Sequence, residues 1–158
     1  MGPIGFRGFK TVTYLKEKDW KRIPDHKGVY IVMHGDPKPD FLEKSVGGHF
    51  KGKDPTISLD TLRKKWVDGA KILYIGQTGS NSEGTLKERI KTLIEFGQSK
   101  PVGHWGGRYL WQLSYHQGLK ISWMEIKGDP LEVENALLSE FEILYGRLPF
   151  ANLRKGKK

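Results

Sequence analysis

Four side chains of this 158-residue sequence stand out because each is polar or charged within an apolar pattern. Tyr74 interrupts the short apolar run Ile72–Gly76, and Tyr30 lies among β-branched neighbours in a similar run. Arg89 and Glu134 fall on predicted helix faces that are otherwise apolar. A buried phenol needs a hydrogen-bond partner, and a buried charge needs a counter-charge or a metal ion. We therefore expect these four side chains to meet beside the strand that carries Tyr74.

Glu134 is the most informative of the four. At about 100° per residue it falls in the middle of the apolar stripe of the last predicted helix. That stripe comprises Leu131, Leu137, Leu138, Phe141, Leu144 and Tyr145. An ionised carboxylate in such a place is paired, protonated or bound to a metal ion. A structural ion pair, or a carboxylate kept wet near the start of the helix, is the alternative interpretation, and the sequence leaves both open.

Arg89 repeats the pattern on the helix that follows Tyr74. The apolar stripe of this helix consists of Leu86, Ile90, Leu93 and Phe96. One helix thus contributes an inward cation and another contributes an inward carboxylate, both near strands that carry tyrosines. A phosphate between the guanidinium and a carboxylate-bound metal ion would use all four groups, as hydrolysis of a phosphodiester requires. The alternative for both tyrosines is core packing with satisfied hydroxyls.

The elements that must position these residues follow from local patterns of apolar residues, caps and turns. In chain order the first three elements are a strand at 29–34, a short helix at 58–68 and a strand at 71–76. They are followed by a helix from the Thr85 cap to Phe96, a strand at 119–126 and a helix from Pro130 to Tyr145. Asp129 caps this last helix and Gly146 ends it. This order predicts one α/β (α+β) domain with a small, mainly antiparallel, three-stranded central sheet flanked by helices.

The remaining segments are predicted more coarsely. The core spans about 24–153, with a long polar insertion at about 35–70 between the first two strands and a flexible basic tail at 154–158. The other expectations are a loosely tethered 1–10, a short strand at 11–15, one helical turn within 16–22 and a helix at 109–115.

Composition limits the class of protein. The sequence has 27 Lys and Arg against 18 Asp and Glu, a net charge of +9 that suits a polyanionic partner, nucleic acid first of all. A basic protein with no such partner is the alternative. There is no cysteine, which excludes disulfides and thiolate metal sites and fits a reducing cytosol. Because no membrane-length apolar run or signal-peptide core is visible, we expect a cytoplasmic protein.

At these residues the sequence resembles the GIY-YIG nuclease family. Gly-Val-Tyr at 28–30 matches the first signature triplet, and Tyr-Ile-Gly at 74–76 matches the second. Arg89 matches the arginine of the following helix, and Glu134 matches the glutamate of the late helix. Asn152 resembles the asparagine often found shortly after that helix. The five elements occur in the expected order, with a longer insertion between the first two strands than the family usually has.

The resemblance implies a metal-dependent endonuclease that hydrolyses phosphodiester bonds by a one-metal mechanism, with DNA as the expected partner and RNA not excluded. Glu134 would bind one divalent ion, Mg²⁺ or in its place Mn²⁺. Tyr30 would orient or deprotonate the attacking water, Tyr74 would help to aim it, and Arg89 would hold the scissile phosphate. The alternative is a catalytically inactive nucleic-acid-binding module that retains the nuclease fold.

The sequence also departs from the family pattern. Gln77 stands where many members have lysine, and Leu93 stands where several have histidine. His104 is a candidate to reach the site from its loop instead, although a loop histidine also serves structural roles. Further contacts to nucleic acid are expected from Gly76, Gln77, His104, Arg108 and Asn152.

Overall fold

The structure, a computed structural model, describes residues 5–35, 38–80, 84–100, 102 and 104–153. The predicted basic tail at 154–158 lies outside the described residues. Within them the protein is a mixed α+β fold whose helices pack on an antiparallel sheet. Among the described helices, none has both the length and the apolar composition that crossing a bilayer would require.

The central sheet has four strands, one more than the sequence predicts. They are β1 (Arg7–Thr11), β2 (Gly28–Met33), β3 (Ile72–Thr78) and β4 (Lys120–Glu125). The strand order is β1-β4-β2-β3, and every neighbouring pair is antiparallel. The three predicted strands form the β4-β2-β3 part of the sheet, and β1 adds to it through β4.

The N-terminal segment corrects two expectations. Part of the segment predicted to be loosely tethered forms β1, and the predicted strand at 11–15 is instead the start of helix α1 (Val12–Glu17). The Thr11 side chain accepts a hydrogen bond from the Tyr14 N–H and so starts the helix. Val12 and Leu15 then bury one helical face. The helical turn predicted within 16–22 therefore lies earlier in the chain, and Trp20 follows it in a turn.

The other helices follow their local signals closely. They are α2 (Leu59–Lys65), α3 (Leu86–Phe96) and α4 (Pro130–Tyr145). The predicted caps at Thr85 and Asp129 are confirmed, Ser58 caps α2, and Gly146 ends α4 in the left-handed conformation. The segment predicted as a helix at 109–115 belongs mostly to a 3₁₀ helix, Trp105–Gln112.

The insertion packs against the core rather than running freely over the surface. Phe41 forms an isolated bridge with Leu113, and its ring lies 5.7 Å from that of Phe150. The buried Gln112 amide donates to the carbonyls of Leu42 and Ile57 and accepts from the Ile57 N–H. The segment is polar in composition, yet part of its backbone is hydrogen-bonded to the core and not to solvent.

Alternation along β2 divides the core in two. Tyr30 and Val32 join the cluster beneath α3 and the 3₁₀ helix, whereas Val29 and Ile31 join the cluster beneath α4. The predicted stripe of α4 is only partly buried. Leu131, Leu138 and Phe141 are buried, but Leu144 and Tyr145 in the last turn of the helix are exposed.

Candidate active site

The pairing of β2 with β3 places Tyr30 opposite Gly76. The Tyr30 ring lies over this glycine, so a Cβ built at Gly76 would fall 2.4 Å from the ring carbon Cζ. Only glycine leaves room for the phenol to cross to the neighbouring strand. The glycine that ends the predicted Ile72–Gly76 run is thus explained by the position of Tyr30. The strand itself continues to Thr78.

The hydroxyl of Tyr30 meets His104. Its Oη lies 2.8 Å from His104 Nε2, and His104 is fully buried. Space beside the imidazole is kept by Gly107, where a Cβ would lie 3.1 Å from two His104 ring atoms and 3.0 Å from Leu93. The sequence predicted His104 as a nucleic-acid contact and as a candidate to reach the site from its loop. The structure places it within the tyrosine cluster, beside the leucine that stands where several family members have histidine.

Tyr74 and Arg89 complete this cluster. The Tyr74 ring centroid lies 6.1 Å from that of Tyr30 and 5.8 Å from that of His104. Arg89 is hydrogen-bonded to Tyr30, and its charge acts on Tyr74 as well. Four side chains from β2, β3, α3 and the loop before the 3₁₀ helix therefore converge, three of them predicted to do so.

Electrostatics keep the two phenols protonated. Burial, reinforced by the neighbouring tyrosine, raises the pKa of Tyr30 well above 10, and the Arg89 cation and its hydrogen bond oppose this shift. Burial likewise raises the pKa of Tyr74 to about 12, again opposed by Arg89. Arg89 is thus the group that stabilises a phenolate in this cluster.

His104 is neutral for the opposite reason. Burial lowers the pKa of its imidazole well below 6.5, and the Arg89 cation lowers it further. One ring nitrogen is therefore unprotonated at neutral pH. Its Nδ1 is buried and has no hydrogen-bond partner among the described residues. The tautomer with hydrogen on Nδ1 leaves Nε2 free to accept the phenolic hydrogen of Tyr30.

Glu134 lies at the same site on α4. It is 8% exposed, and burial raises the pKa of its carboxyl to about 7. Its charge also raises the pKa of Tyr30 and Tyr74, so the carboxylate is electrostatically coupled to both phenols. Among the described residues it has no ion-pair or hydrogen-bond partner, which sets aside the structural ion pair within that part of the chain.

This donor set fits a hydrated divalent ion. Mg²⁺ retains several waters and needs only one or two carboxylates, with substrate phosphate supplying further oxygens. A single buried carboxylate with a raised pKa is a group that a cation would stabilise in its charged form. No group of three His, Cys, Asp or Glu side chains suited to a metal occurs within the described ranges. Glu134 is therefore the residue available to hold such an ion here.

The remaining predicted contact residues lie differently. Asn152 is 5% exposed, and its amide donates to the Ile75 carbonyl and accepts from the Ile75 N–H, both at 2.9 Å. Its side chain therefore holds β3 beside Tyr74. Gln77 is half-buried on β3, and Arg108 is half-buried with its guanidinium 5.5 Å from the Tyr109 ring centroid. A role in nucleic-acid binding stays a prediction for all three and for Gly76.

Comparison of the chain with family models, with curated proteins and with solved structures finds no match. The functional argument therefore depends on the geometry of the site and on the sequence motifs.

Proposed function

We propose that this protein is a GIY-YIG-type, metal-dependent endonuclease that hydrolyses phosphodiester bonds, with DNA as the favoured substrate. The observation that carries the proposal is the hydrogen-bonded group formed by Tyr30, His104 and Arg89, with Tyr74 and Glu134 coupled to it. A buried tyrosine-histidine pair bonded to a half-buried arginine, beside a carboxylate with no ion-pair partner among the described residues, is typical of a functional site. The long insertion and four-stranded sheet would be this chain's variant of that fold.

Arg89 has two tasks in this proposal. Its guanidinium holds the scissile phosphate through paired N–H donors, a geometry that lysine does not provide. It also opposes the desolvation that raises the pKa of Tyr30. A phosphate bound there would also offset the Arg89 charge that lowers the pKa of His104.

Tyr30 and His104 form the proposed proton path. Because the pKa of Tyr30 lies well above 10, the phenol is a poor base by itself at neutral pH. His104 Nε2, 2.8 Å away, accepts the phenolic hydrogen as Tyr30 takes one from the attacking water. Tyr74 lies beside the same centre, with its ring 6.1 Å from that of Tyr30, and in this proposal it helps to direct the Tyr30 hydroxyl at the water. In this proposal Tyr30 takes the proton of the water and His104 takes the proton of Tyr30, so the two residues together act as the general base.

Glu134 is the proposed ligand of the divalent ion. When bound, the ion would supply positive charge to the phosphate and to the departing oxygen. The protein's own contribution is a carboxylate that burial makes costly to ionise without a cation. The net charge of +9 supports a polyanionic substrate held beyond the site itself.

The test is nicking of supercoiled plasmid and of branched DNA in Mg²⁺ or Mn²⁺. We expect wild type to cut, and Glu134→Ala to lose at least about a hundredfold of the rate. Glu140→Ala is the matched control, because Glu140 is exposed on the same helix. Failure of wild type to cut any substrate, with retained DNA binding, would favour the inactive binding module. Equal rates for wild type and Glu134→Ala would remove Glu134 from the site.

A further inference from the structure

The edge of the sheet formed by β3 carries a second group of polar contacts. The Lys65 ammonium donates to the Asn152 carbonyl, with Nζ 3.1 Å from the oxygen. The Asn152 side chain in turn accepts from the Ile75 N–H at 2.9 Å. Two hydrogen bonds and one residue therefore join Lys65 to Ile75, the residue that follows Tyr74. This connection places a cation from the last turn of α2 at the edge of the strand that contributes Tyr74 to the site.

A second cation lies beside the first. The Arg147 guanidinium donates to the carbonyls of Lys64 and Trp66, the two residues that flank Lys65 in the chain. Burial lowers the pKa of the Lys65 ammonium, and the positive charge of Arg147 lowers it further. Because like charges repel, the two cations are held together by the fold and not by attraction between them.

The two cations lack the acidic partner that their neighbour has. Lys64 pairs with Asp60 across one helical turn, with its Nζ 3.0 Å from the carboxylate. None of the ion pairs in the described part of the chain involves Lys65 or Arg147. Arg147 is exposed and Lys65 is half-buried, so an anion from solution can approach both. A phosphate bound between them would offset their repulsion and accept hydrogen bonds from both.

Both side chains also have a structural role. The last carbonyls of a helix have no partner within it, and the Arg147 guanidinium donates to that of Lys64 at the end of α2. The negative end of the helix dipole favours a cation there as well. One cation would serve this purpose, however, whereas the second adds repulsion. The structural role therefore explains the hydrogen bonds and leaves one of the two charges unexplained.

The cations lie beyond the end of α4, the helix that carries the proposed metal ligand. Glu134 is near the start of this helix, which ends at Tyr145, two residues before Arg147. At about 1.5 Å per residue, the helix from Glu134 to Tyr145 is about 16 Å long. Each strand of a duplex advances about 3.4 Å per nucleotide, so this length corresponds to about five nucleotides. A strand with its scissile phosphate at Glu134 can therefore bring a flanking phosphate to Arg147.

We propose that Lys65 and Arg147 together bind one backbone phosphate of a nucleic-acid strand that lies along the β3 edge. The position of this phosphate relative to the scissile one rests on the proposed nuclease function, but its binding does not require cleavage. Both cations are positioning groups, and neither belongs to the cluster around Tyr30. A free phosphate ion offers the same oxygens as the strand, and the experiment separates these two sources.

The test is binding of an end-labelled DNA duplex, followed by fluorescence anisotropy in EDTA so that no strand is cut. Titrations at several salt concentrations give the slope of the log association constant against log salt concentration. The magnitude of this slope decreases by about 0.9 for each phosphate contact that is lost. We expect Lys65→Met/Arg147→Met to lose one such contact and to bind about tenfold more weakly. Lys65→Met alone, which keeps the aliphatic stem, should weaken binding several-fold.

The matched control is Lys16→Met/Lys18→Met. These two lysines lie at the end of α1, and β1, the strand before that helix, forms the opposite edge of the sheet. The control removes the same charge, and we expect it to keep the wild-type slope. Equal losses of slope in the two double variants would show that only the net charge matters and would overturn the site.

Thermal melting separates phosphate binding from the structural role. Reduced stability of a folded Lys65→Met/Arg147→Met, with wild-type affinity and slope, would assign both cations to structure and overturn the proposal. If this variant does not fold, the affinity of Lys65→Met decides the question. Inorganic phosphate should displace the duplex no better than chloride at equal ionic strength. Stronger displacement that Lys65→Met abolishes would assign the cations to the free ion and overturn the strand.

Cleavage in Mg²⁺ distinguishes this proposal from that of the nuclease. Lys65→Met should nick DNA at the wild-type rate when DNA is saturating and more slowly when it is not. A wild type that cuts, together with an unchanged affinity and salt slope in a folded Lys65→Met/Arg147→Met, would overturn the phosphate site alone. The expected loss of slope in a protein that cuts nothing would support the phosphate site and contradict the nuclease.

Discussion

The two sides of strand β2 serve different purposes. On the side under α4, Val29 and Ile31 pack in a cluster made of apolar side chains such as Leu138 and Phe141. On the other side, Tyr30 contacts His104. The same strand therefore packs the core through its odd-numbered residues, and Tyr30 on its other face carries the proposed chemistry.

The comparison shows how a small sheet tolerates buried polar groups. The cost of burying Tyr30 and His104 is reduced by the hydrogen bond between them, whereas the side under α4 packs mainly apolar side chains. Ser122, buried opposite Ile31, and Glu134, which lies on α4 yet is coupled to the tyrosines, are exceptions. Substitutions on the two sides should consequently separate activity from stability.

The largest expected effect is on cleavage. Tyr30→Phe removes the hydroxyl that joins Arg89 to His104, and we expect a loss of about 10²- to 10⁴-fold in the cleavage rate, as loss of a general base gives. Ile31→Val, the next residue on the opposite side, should stay within a few-fold of wild type. Single-turnover plasmid nicking measures both. Comparable losses in the two variants would refute the division of β2.

The second prediction concerns stability, which should fall more for a substitution on the α4 side of β2 than for one at Tyr30. Ile31→Ala leaves a cavity beneath α4 in a site that is 1% exposed, so the free energy of unfolding should fall by about 2–5 kcal/mol. Tyr30→Phe keeps the ring and loses only hydrogen bonds, a cost of about 0.5–1.5 kcal/mol for each. Urea denaturation compares the two. The prediction fails if Tyr30→Phe is the less stable variant.

A third change tests the support of β3. Asn152→Ala removes two hydrogen bonds to Ile75 and leaves its backbone groups unsatisfied, so we expect a loss of about 2–3 kcal/mol. Leu153→Ala, at a partly exposed neighbour, should change the stability by no more than about 0.5 kcal/mol. Chemical denaturation of both variants gives the difference. Equal stability would show that the side-chain clamp contributes nothing.

Gly76→Ala should have a smaller effect, and it should appear in both the cleavage rate and the free energy of unfolding. The added methyl meets the Tyr30 ring at 2.4 Å, and relief of such a clash costs about 1–3 kcal/mol. Displacement of Tyr30 should also slow cleavage. Gly118→Ala is the control, because a Cβ there meets nothing within 4 Å. Full activity of Gly76→Ala at wild-type stability would contradict the close approach of the two strands.

The fifth prediction concerns pH. Because the pKa of His104 is lowered in the folded protein, the unfolded chain binds this proton first as the pH falls below about 6.5. The contribution to stability is complete above that pH and decreases by up to about 1.4 kcal/mol per unit below it, until the folded pKa is reached. The stability of His104→Gln should lack this pH-dependent contribution. Urea midpoints at a series of pH values measure it, and parallel profiles would refute it.

Local signals explain which elements the sequence predicted well. Asp129 and Pro130 define the start of α4 and Gly146 its end, so its boundaries were correct without any knowledge of the fold. Thr85 did the same for α3 through a capping box with Glu88. Strand β1 was missed because Arg7–Thr11 contains no clear alternation and pairs only with the distant β4.

The site was predictable only in part for a similar reason. Tyr30, Tyr74, Arg89 and Glu134 break apolar patterns, so each was visible from its neighbours in the sequence. His104 was a candidate for the site, but its hydrogen bond to Tyr30 could not be predicted, because His104 lies in a loop whose course depends on packing against Leu93 and Gly107.

The Asn152 clamp has a consequence for solubility. Strand β3 is the outermost strand of the sheet, and its free backbone groups would invite strand addition by another chain. The Asn152 amide occupies both groups of Ile75, and the Ala151 N–H bonds the Leu73 carbonyl, so the C-terminal segment imitates a short fifth strand. The residues that follow α4 thus protect this edge from self-association, and a chain lacking them would expose the strand bearing Tyr74 to aggregation.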